Sequence, residues 1–419
     1  MRSVLELLER ELSGDRARAH VAEITRHYRS PGSSGYHRVI DYVTAGLADL
    51  GVGHTVRTFA LDGHNTVGGE RTPPGWEPAG GKLELLPAGE VLVRWDECAS
   101  CLPWWNRPTP ADGVELEVVD VATGESDEDY AGKEVTGKAV LIHDAGENFA
   151  WRDLVVRASR HGAAGIVSNY LIYQYEPWRT REGLREAVQQ MRLPAHAELN
   201  PWTFCVSQNA FEQIVVASQA GGQPAKVRFT IDAKTFASTS RSVLATIPGA
   251  SLEEEAVLLV AHVTAATMPG ANCASGVALL LELAGTMTRL IADGRLAQPA
   301  RSIHFLFANE GLGSLELAES DPSLLERLLV AFAFCSVGHD QGKTKSTLVV
   351  GRSPDSLPTF ADDVVESMLD LQTHELPWAY RGQRQEIPYV RWKVLPYTPW
   401  SDNVTWSKLG VPGLLFMSL

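Results

Sequence analysis

Residues 256–291 read AVLLVAHVTAATMPGANCASGVALLLELAGTMTRLI. Ala256–Ala261 is a short continuous apolar run, the pattern of a strand buried on both faces. It ends at His262 and is followed by the turn signal Pro269-Gly270. From Ala274 to Ile291 the apolar positions Val277, Leu280, Leu281, Leu283, Met287, Leu290 and Ile291 predict a long helix with a wide apolar face. Outward from this unit, Val243–Ile247, Ser302–Ala308, Leu329–Cys335, Thr347–Val349 and Gly413–Met417 read as further strands, with helices between several of them. That alternation predicts an α/β fold: a helix-flanked, mixed, mostly parallel sheet. Ligand sites in such sheets collect at the carboxyl ends of strands. Here those ends are His262, Asn309-Glu310 and Cys335-Ser336.

The first 50 residues read as three helices. The first carries Val4, Leu5, Leu7, Leu8 and Leu12 on one face. The second runs through Ala17–Tyr28 to the turn cluster at Arg29-Ser30-Pro31-Gly32, and the third ends at Gly51, a natural helix stop. From about Gly113 to Ala237 the rhythm changes to short β runs, Val114–Val121, Lys138–His143 and Lys226–Ile231. A helix near Trp151–His161 feeds the strand at Gly162–Val167. The expected organisation is a main domain from residues 1–111 and 238–419, with 112–237 as a β-rich insert.

Composition narrows the function classes. The 419 residues suffice for two or three domains. The net charge is −14 and no basic stretch offsets it, so nucleic acid is not an expected partner. The apolar runs fall far short of the roughly 20 residues a membrane span needs, and the opening MRSVLELLERELSGDRA has no apolar signal core. Five cysteines cannot form a disulfide scaffold in a chain of this size. The expectation is a soluble, reduced, cytoplasmic protein, without a membrane partner and with the capacity to self-associate as a homo-oligomer.

Some signals are set aside. Cys98-x-x-Cys101 has metal spacing without a second pair, and Cys205 is single and distant in sequence, so two free thiols in a loop are expected. Trp95, Trp104 and Trp105, and Tyr173, Tyr175 and Trp178, are aromatic loop clusters that line a pocket or pack over a core. Trp392, Tyr397, Trp400 and Trp406 form a third such group.

His262-Val263-Thr264, followed by Pro269-Gly270-Ala271-Asn272-Cys273-Ala274-Ser275-Gly276 opening an apolar helix, resembles the co-catalytic di-zinc aminopeptidase family. That family includes bacterial aminopeptidases, glutamate carboxypeptidases and the transferrin receptor. The resemblance extends to Arg29–Ser33, Asn309–Ser314, Cys335–Gly338 and Ser401-Asp402 before Gly410-Val411-Pro412. The insert resembles a protease-associated domain through Gly137–His143 and Gly162–Val167, and in such relatives the insert lies over the cleft. The resemblance implies an aminopeptidase-like fold and a pocket for an amine-bearing group. In the family, two zinc ions share a bridging carboxylate, and a glutamate moves protons for the metal-held water.

Matched to that pattern, His262 stands at the first ligand position and Thr264 at that of its partner Asp. Asn272 stands at the bridging Asp, with Cys273 beside it, and Asn309 at the catalytic Glu. Glu310 stands at a ligand Glu and Cys335 at the Asp of the next strand end. The family's last His lies beyond the segment matching Gly410–Phe416, and the sequence ends at Leu419. A neutral amide bridges metals poorly and does not accept a proton at neutral pH. The conventional two-zinc peptidase chemistry is therefore not expected, nor is any bound metal or cofactor.

The leading expectation is a degenerate-site pseudoenzyme, or an enzyme of altered chemistry, whose old cleft binds or transforms a small amino-acid- or peptide-like molecule. Cys273, Glu310 and His262 are the candidate catalytic residues, and Asn272, Asn309, Cys335 and Asp402 the candidate ligand-binding ones. Three alternatives stay open beside it. One is a rebuilt single-zinc site of His262, Glu310 and Cys335, with Cys273 a further candidate. Another is acyl transfer through Cys273, lying at a helix N-terminus that favours a thiolate, with His262 as its base. The last is a non-enzymatic binding or scaffold protein. His304 and His339-Asp340 are spare metal candidates, with a strand and a solvated loop as their ordinary places.

Overall fold

The computed structural model describes every residue except Met1, 144–150, 172–181, 198–199, 221–223, 266–272, Lys345, 373–374, 382–385 and Leu419. It contains two compact units. The larger comprises residues up to Thr72 and from Ser238 onward, and the smaller Pro73–Ala237.

The larger unit is built on an eight-stranded sheet. Its middle is four parallel strands in the order Arg301–Ala308, Leu252–His262, Leu328–Phe334 and Gly413–Ser418. Ser238–Ile247 runs antiparallel between Arg301–Ala308 and the edge strand His54–Leu61. On the other side Leu348–Gly351 runs antiparallel to Gly413–Ser418 and parallel to Trp392–Leu395. The expected mixed, mostly parallel, helix-flanked sheet is therefore present; most strands run one to five residues beyond the predicted runs, while Leu328–Phe334 stops before Cys335 and Leu348–Gly351 starts after Thr347.

The central strand shows why the fold is specified. Leu259 and Ala261 pack on one face of the sheet with the helices Ser34–Asp49 and Ala274–Ala292. Leu258 and Val260 pack on the other with Leu317, Leu324 and Trp406. Alternate residues bury to opposite faces because the strand's side-chain period is two, and each buried Leu or Val contributes roughly 1.5–3 kcal/mol. Helix Ala274–Ala292 is long and apolar enough to cross a membrane by length and composition, but most of it is buried in this core.

One close approach sets the geometry of the strand ends. A Cβ at Gly276 would overlap the carbonyl oxygen of Phe334 and lie 3.1 Å from that of Cys335. Next to it, the Ser275 hydroxyl accepts from the Val337 amide at 2.9 Å and donates to the Cys335 carbonyl at 3.4 Å. The first turn of the helix is thus pinned directly on the turn that follows strand Leu328–Phe334.

The smaller unit holds a seven-stranded sheet. Glu90–Arg94, Gly75–Leu86, Lys226–Phe236 and Val114–Asp120 are antiparallel neighbours. Val114–Asp120, Ala139–Ile142, Gly165–Ser168 and Trp202–Cys205 then continue in parallel. Its core gathers Val140, Ile142, Leu154 and Ile166. The unit starts at Pro73 rather than at 112, because Gly75–Leu86 pairs with Lys226–Phe236 along its whole length. Cys205, distant in sequence, ends a strand that packs on the turn Ala99–Cys101; all three of its cysteines are free. Trp104 is buried edge-on to Trp105, in the core of this unit rather than on a pocket wall.

Two buried ionisable groups in the larger unit give its stability a pH dependence. Glu316 is fully buried, and burial raises its carboxyl to about 8 against the opposing effect of the Ser240 hydroxyl. His304, in its expected strand, bonds Thr246 through Nδ1 at 2.9 Å, and burial lowers it to about 4. A raised carboxyl makes the native state bind the extra proton, so stability falls as pH rises from the unfolded value toward 8, by about 1.4 kcal/mol per unit. His304 has the opposite effect, removing stability as pH falls from the unfolded value toward 4. Glu316→Gln is expected to raise the melting temperature at pH 8 and to have little effect near pH 4.5. A gain independent of pH in calorimetry would show that Glu316 is not titrating. Gly276→Ala is expected to cost on the order of 3 kcal/mol from overpacking in urea denaturation. Gly14→Ala, which meets open space, is the control and should be near neutral.

Candidate functional site

The sheet register brings the predicted strand ends level. His262 is paired with Ala308, so Asn309 and Glu310 follow beside it. Val260 is paired with Ala333, which places Cys335 alongside His262. Cys273 caps the N-terminus of helix Ala274–Ala292 and comes onto the same point because the helix is pinned through Gly276. Its backbone has φ +65°, an unfavourable left-handed conformation for a residue with a side chain.

The side chains form a tight buried cluster. His262 is 2% exposed, and its Nε2 lies 2.7 Å from Cys273 Sγ and 3.8 Å from Cys335 Sγ. The three potential ligand atoms all lie within 4.8 Å of one another. Glu310, 27% exposed at its side chain, brings Oε1 to 3.9 Å from Nε2. On the far side of the ring, His262 Nδ1 donates to Asp402 Oδ2 at 3.0 Å, with Ser401 Oγ at 3.4 Å. Asp402 Oδ1 in turn accepts from the Gly311 amide at 2.8 Å and from the Ser314 hydroxyl at 3.3 Å. The carboxylate therefore fixes the imidazole with Nε2 toward the sulfurs.

The two thiols share one proton. The hydrogen bond from Cys273 lowers Cys335 to about 5 against the opposing effect of burial. The same contact, followed by burial, raises Cys273 well above the ordinary thiol value. Burial disfavours the His262 imidazolium. The charges of Cys273, Glu310 and Cys335 together with the Asp402 hydrogen bond outweigh it and raise His262. Arg29 adds a buried positive charge close by. Its guanidinium donates to the carbonyls of Val263, Ile24 and His27, and burial lowers it to about 10, with Cys273 opposing. The backbone of Arg29 also bridges to Ala265, which ties the segment after His262 to the N-terminal helices.

Of the residues expected from sequence, His262, Cys273, Cys335 and Glu310 come together. Asp402, expected as a ligand-binding residue, is buried with both oxygens engaged, and it positions His262. Asn309 is buried at its strand end. Asn272 lies outside the described residues, as do Tyr173, Tyr175 and Trp178. Trp406 belongs to the core, while Trp400 is 41% exposed. His339 bonds Ser336 at 3.0 Å. Thr264, at the expected partner position of His262, accepts from the Glu310 amide at 3.1 Å and so holds the backbone of that residue. Sequence reasoning missed the structural roles of Thr264 and Arg29, and the 140-residue separation hid the Asp402–His262 pair.

An imidazole nitrogen and two sulfurs, one of them a thiolate, are a donor set that zinc accepts. Glu310 stands beside them at the more exposed rim. Among the described residues at this point, no carboxylate lies between two donor groups in the position of a bridge. These donors fit a zinc ion, which the sequence reading holds only as an alternative to no metal; in that alternative set of His262, Glu310 and Cys335, the further candidate Cys273 lies nearest to His262.

The comparisons with known proteins agree with this fold. Residues 242–418 match the model of Peptidase family M28. The chain superposes on a zinc aminopeptidase from Bacillus subtilis with a TM-score of 0.67 at 15% identity, covering 97% of this chain and 85% of that one. It superposes on a Peptidase M28 precursor from Shewanella amazonensis with a TM-score of 0.69 at 17% identity, covering 98% and 86%. An aminopeptidase from an Aneurinibacillus strain gives 0.59 at 18% identity, with 97% and 85% covered. No curated protein matches the sequence. Residues 242–418 thus match Peptidase family M28, and the chain has the fold of the zinc aminopeptidase from Bacillus subtilis.

Proposed function

We propose that the chain is a hydrolase of small amino-acid- or peptide-like molecules whose centre is His262, Cys273 and Cys335 in place of the family's two-metal site. The observation that carries this reading is the convergence of three buried soft donors at strand ends, where M28 relatives are zinc enzymes. A zinc ion held by these residues supplies Lewis acidity and an acidified water. Asp402 orients His262, and the pinned helix brings Cys273 to Cys335. Glu310, the carboxylate at the exposed rim beside Nε2, is positioned to take a proton or to accept a substrate amine. Two free thiols at such a centre need a reducing compartment, which supports a cytoplasmic location. The reading includes residues 73–237 as a protease-associated-like insert.

A specific observation favours a second reading. Asp402, His262 and Cys273 form a continuous carboxylate–imidazole–thiol line, with 3.0 and 2.7 Å between successive partners. That arrangement suits a thiol nucleophile with an oriented base, and the Cys273 backbone strain at a helix N-terminus is consistent with it.

Metal content separates the two. Protein purified with zinc present is expected to carry about one zinc per chain by mass spectrometry, falling below about 0.2 in Cys273→Ala and in Cys335→Ala. The cobalt-substituted protein should show thiolate-to-cobalt absorption that both variants lose. Two metals per chain, or none, would overturn the single-metal centre. The nucleophile reading predicts that metal-free protein given p-nitrophenyl acetate gains one acetyl group on Cys273, and that His262→Ala abolishes this labelling. Intact-mass analysis showing no such adduct removes the second reading.

A further inference from the structure

Two of the chain's five cysteines meet at the His262 centre, and both are free. The Cys273 thiol hydrogen-bonds the Cys335 sulfur, and the two sulfurs and His262 Nε2 lie within 4.8 Å of one another. Cys273 opens helix Ala274–Ala292, and Cys335 follows strand Leu328–Phe334. Gly276 and Ser275 seat that helix turn on the Phe334 and Cys335 carbonyls, so backbone packing holds the thiols together. A disulfide needs sulfurs about 2.05 Å apart on Cβ atoms about 3.5–4.5 Å apart. Thiols already in hydrogen-bond contact approach that bond by turning about their Cα–Cβ bonds.

Access to the pair is narrow. Cys335 is 9% exposed and Cys273 5%, and the Glu310 side chain beside them is 27% exposed. An oxidant close to water in size suits such a site better than a bulky disulfide, because thiol oxidation depends on access as well as on thiol chemistry. The His262 ring does not depend on the sulfurs for its place: its Nδ1 bonds Asp402 on the opposite side. The centre can therefore lose both thiols to a bond between them while the imidazole stays oriented.

We infer that Cys273 and Cys335 form a reversible disulfide, with hydrogen peroxide as co-reactant, and that this bond switches the centre off. The sulfur of the more exposed Cys335 attacks one peroxide oxygen. The O–O bond breaks, an S–O bond forms, and water leaves with the thiol proton, giving a sulfenic acid. The Cys273 sulfur then attacks the Cys335 sulfur. The S–S bond forms, the S–O bond breaks, and a second water leaves with the Cys273 proton. The two thiols together lose two electrons, and the peroxide gains them. A dithiol reverses the step by exchange. Metal binding and nucleophilic attack both need thiolates, so the oxidised chain keeps His262 but loses both sulfur ligands and the Cys273 nucleophile. Formation of the bond rests on the two thiols alone; the loss of function rests on the reading of the centre proposed above.

Peptide mass spectrometry of the full chain tests it, on metal-free protein treated with hydrogen peroxide, alkylated and digested. The expected product is a peptide pair cross-linked through Cys273 and Cys335, with the intact mass lowered by about 2 Da and restored by dithiothreitol. The same cross-link is expected in Cys101→Ser, which removes the competing Cys98–Cys101 pair of the smaller unit. Zinc uptake is measured in parallel: about one zinc per chain for reduced protein, below about 0.2 for oxidised protein, and recovery after dithiothreitol. Both thiols staying alkylatable, oxidation of either to a sulfinic acid without a cross-link, or a disulfide confined to Cys98 and Cys101 would each overturn the inference. So would cross-linked protein that still takes up one zinc. A cross-link in a chain that binds no zinc when reduced supports the disulfide and overturns only the single-metal centre.

Discussion

The larger unit depends on the contact at Gly276. The long helix is buried by its apolar face, but burial alone leaves it free to slide along the sheet. The missing Cβ lets its first turn sit on the Phe334 and Cys335 carbonyls, and Ser275 locks that seat with two hydrogen bonds. Cys273, three residues upstream of Gly276, is therefore delivered to Cys335 and His262 by backbone packing and needs no long side chain to reach them. The left-handed backbone at Cys273 is the local cost, of order 1–3 kcal/mol, and the helix's buried face offsets it.

A second constraint is electrostatic. A histidine, two sulfurs and a carboxylate buried together are expensive to desolvate unless each charge has a partner. Asp402 is stabilised by the Gly311 amide and the Ser314 hydroxyl and stabilises His262 in turn, while Cys273 keeps its proton and donates it in a hydrogen bond to the more acidic Cys335. Arg29 brings a further positive charge close to Cys273. His262 and Arg29 are thus the cationic side of the cluster, and Cys335, Glu310 and Asp402 its anionic side.

Much of this was legible from residue order. The continuous apolar run Ala256–Ala261 and the apolar helix after Ala274 specify a sheet buried on both faces, and the polar residues ending each apolar run identify the site edge. The near side of the cluster follows from register once the strands are known. Asp402 was not legible in its role, because its partner lies 140 residues away and a carboxylate reads the same whether it faces ligand or supports a histidine. The domain boundary failed for a related reason. Gly75–Leu86 pairs with a strand more than 140 residues later, and the Gly- and Pro-rich composition around it gives no sign of which sheet it joins.

Scaffold and chemistry at the strand ends are carried by different residues. The residues that build the scaffold at the site, Gly276, Ser275 and the alternating core of the central strand, act through backbone contacts and shape. The residues that set its chemistry are single side chains at the last position of a strand or the first of a helix. A change from carboxylate to thiol at such a position alters donor softness and proton affinity but little of the packing. Strand ends are thus free to change chemistry at small cost to stability.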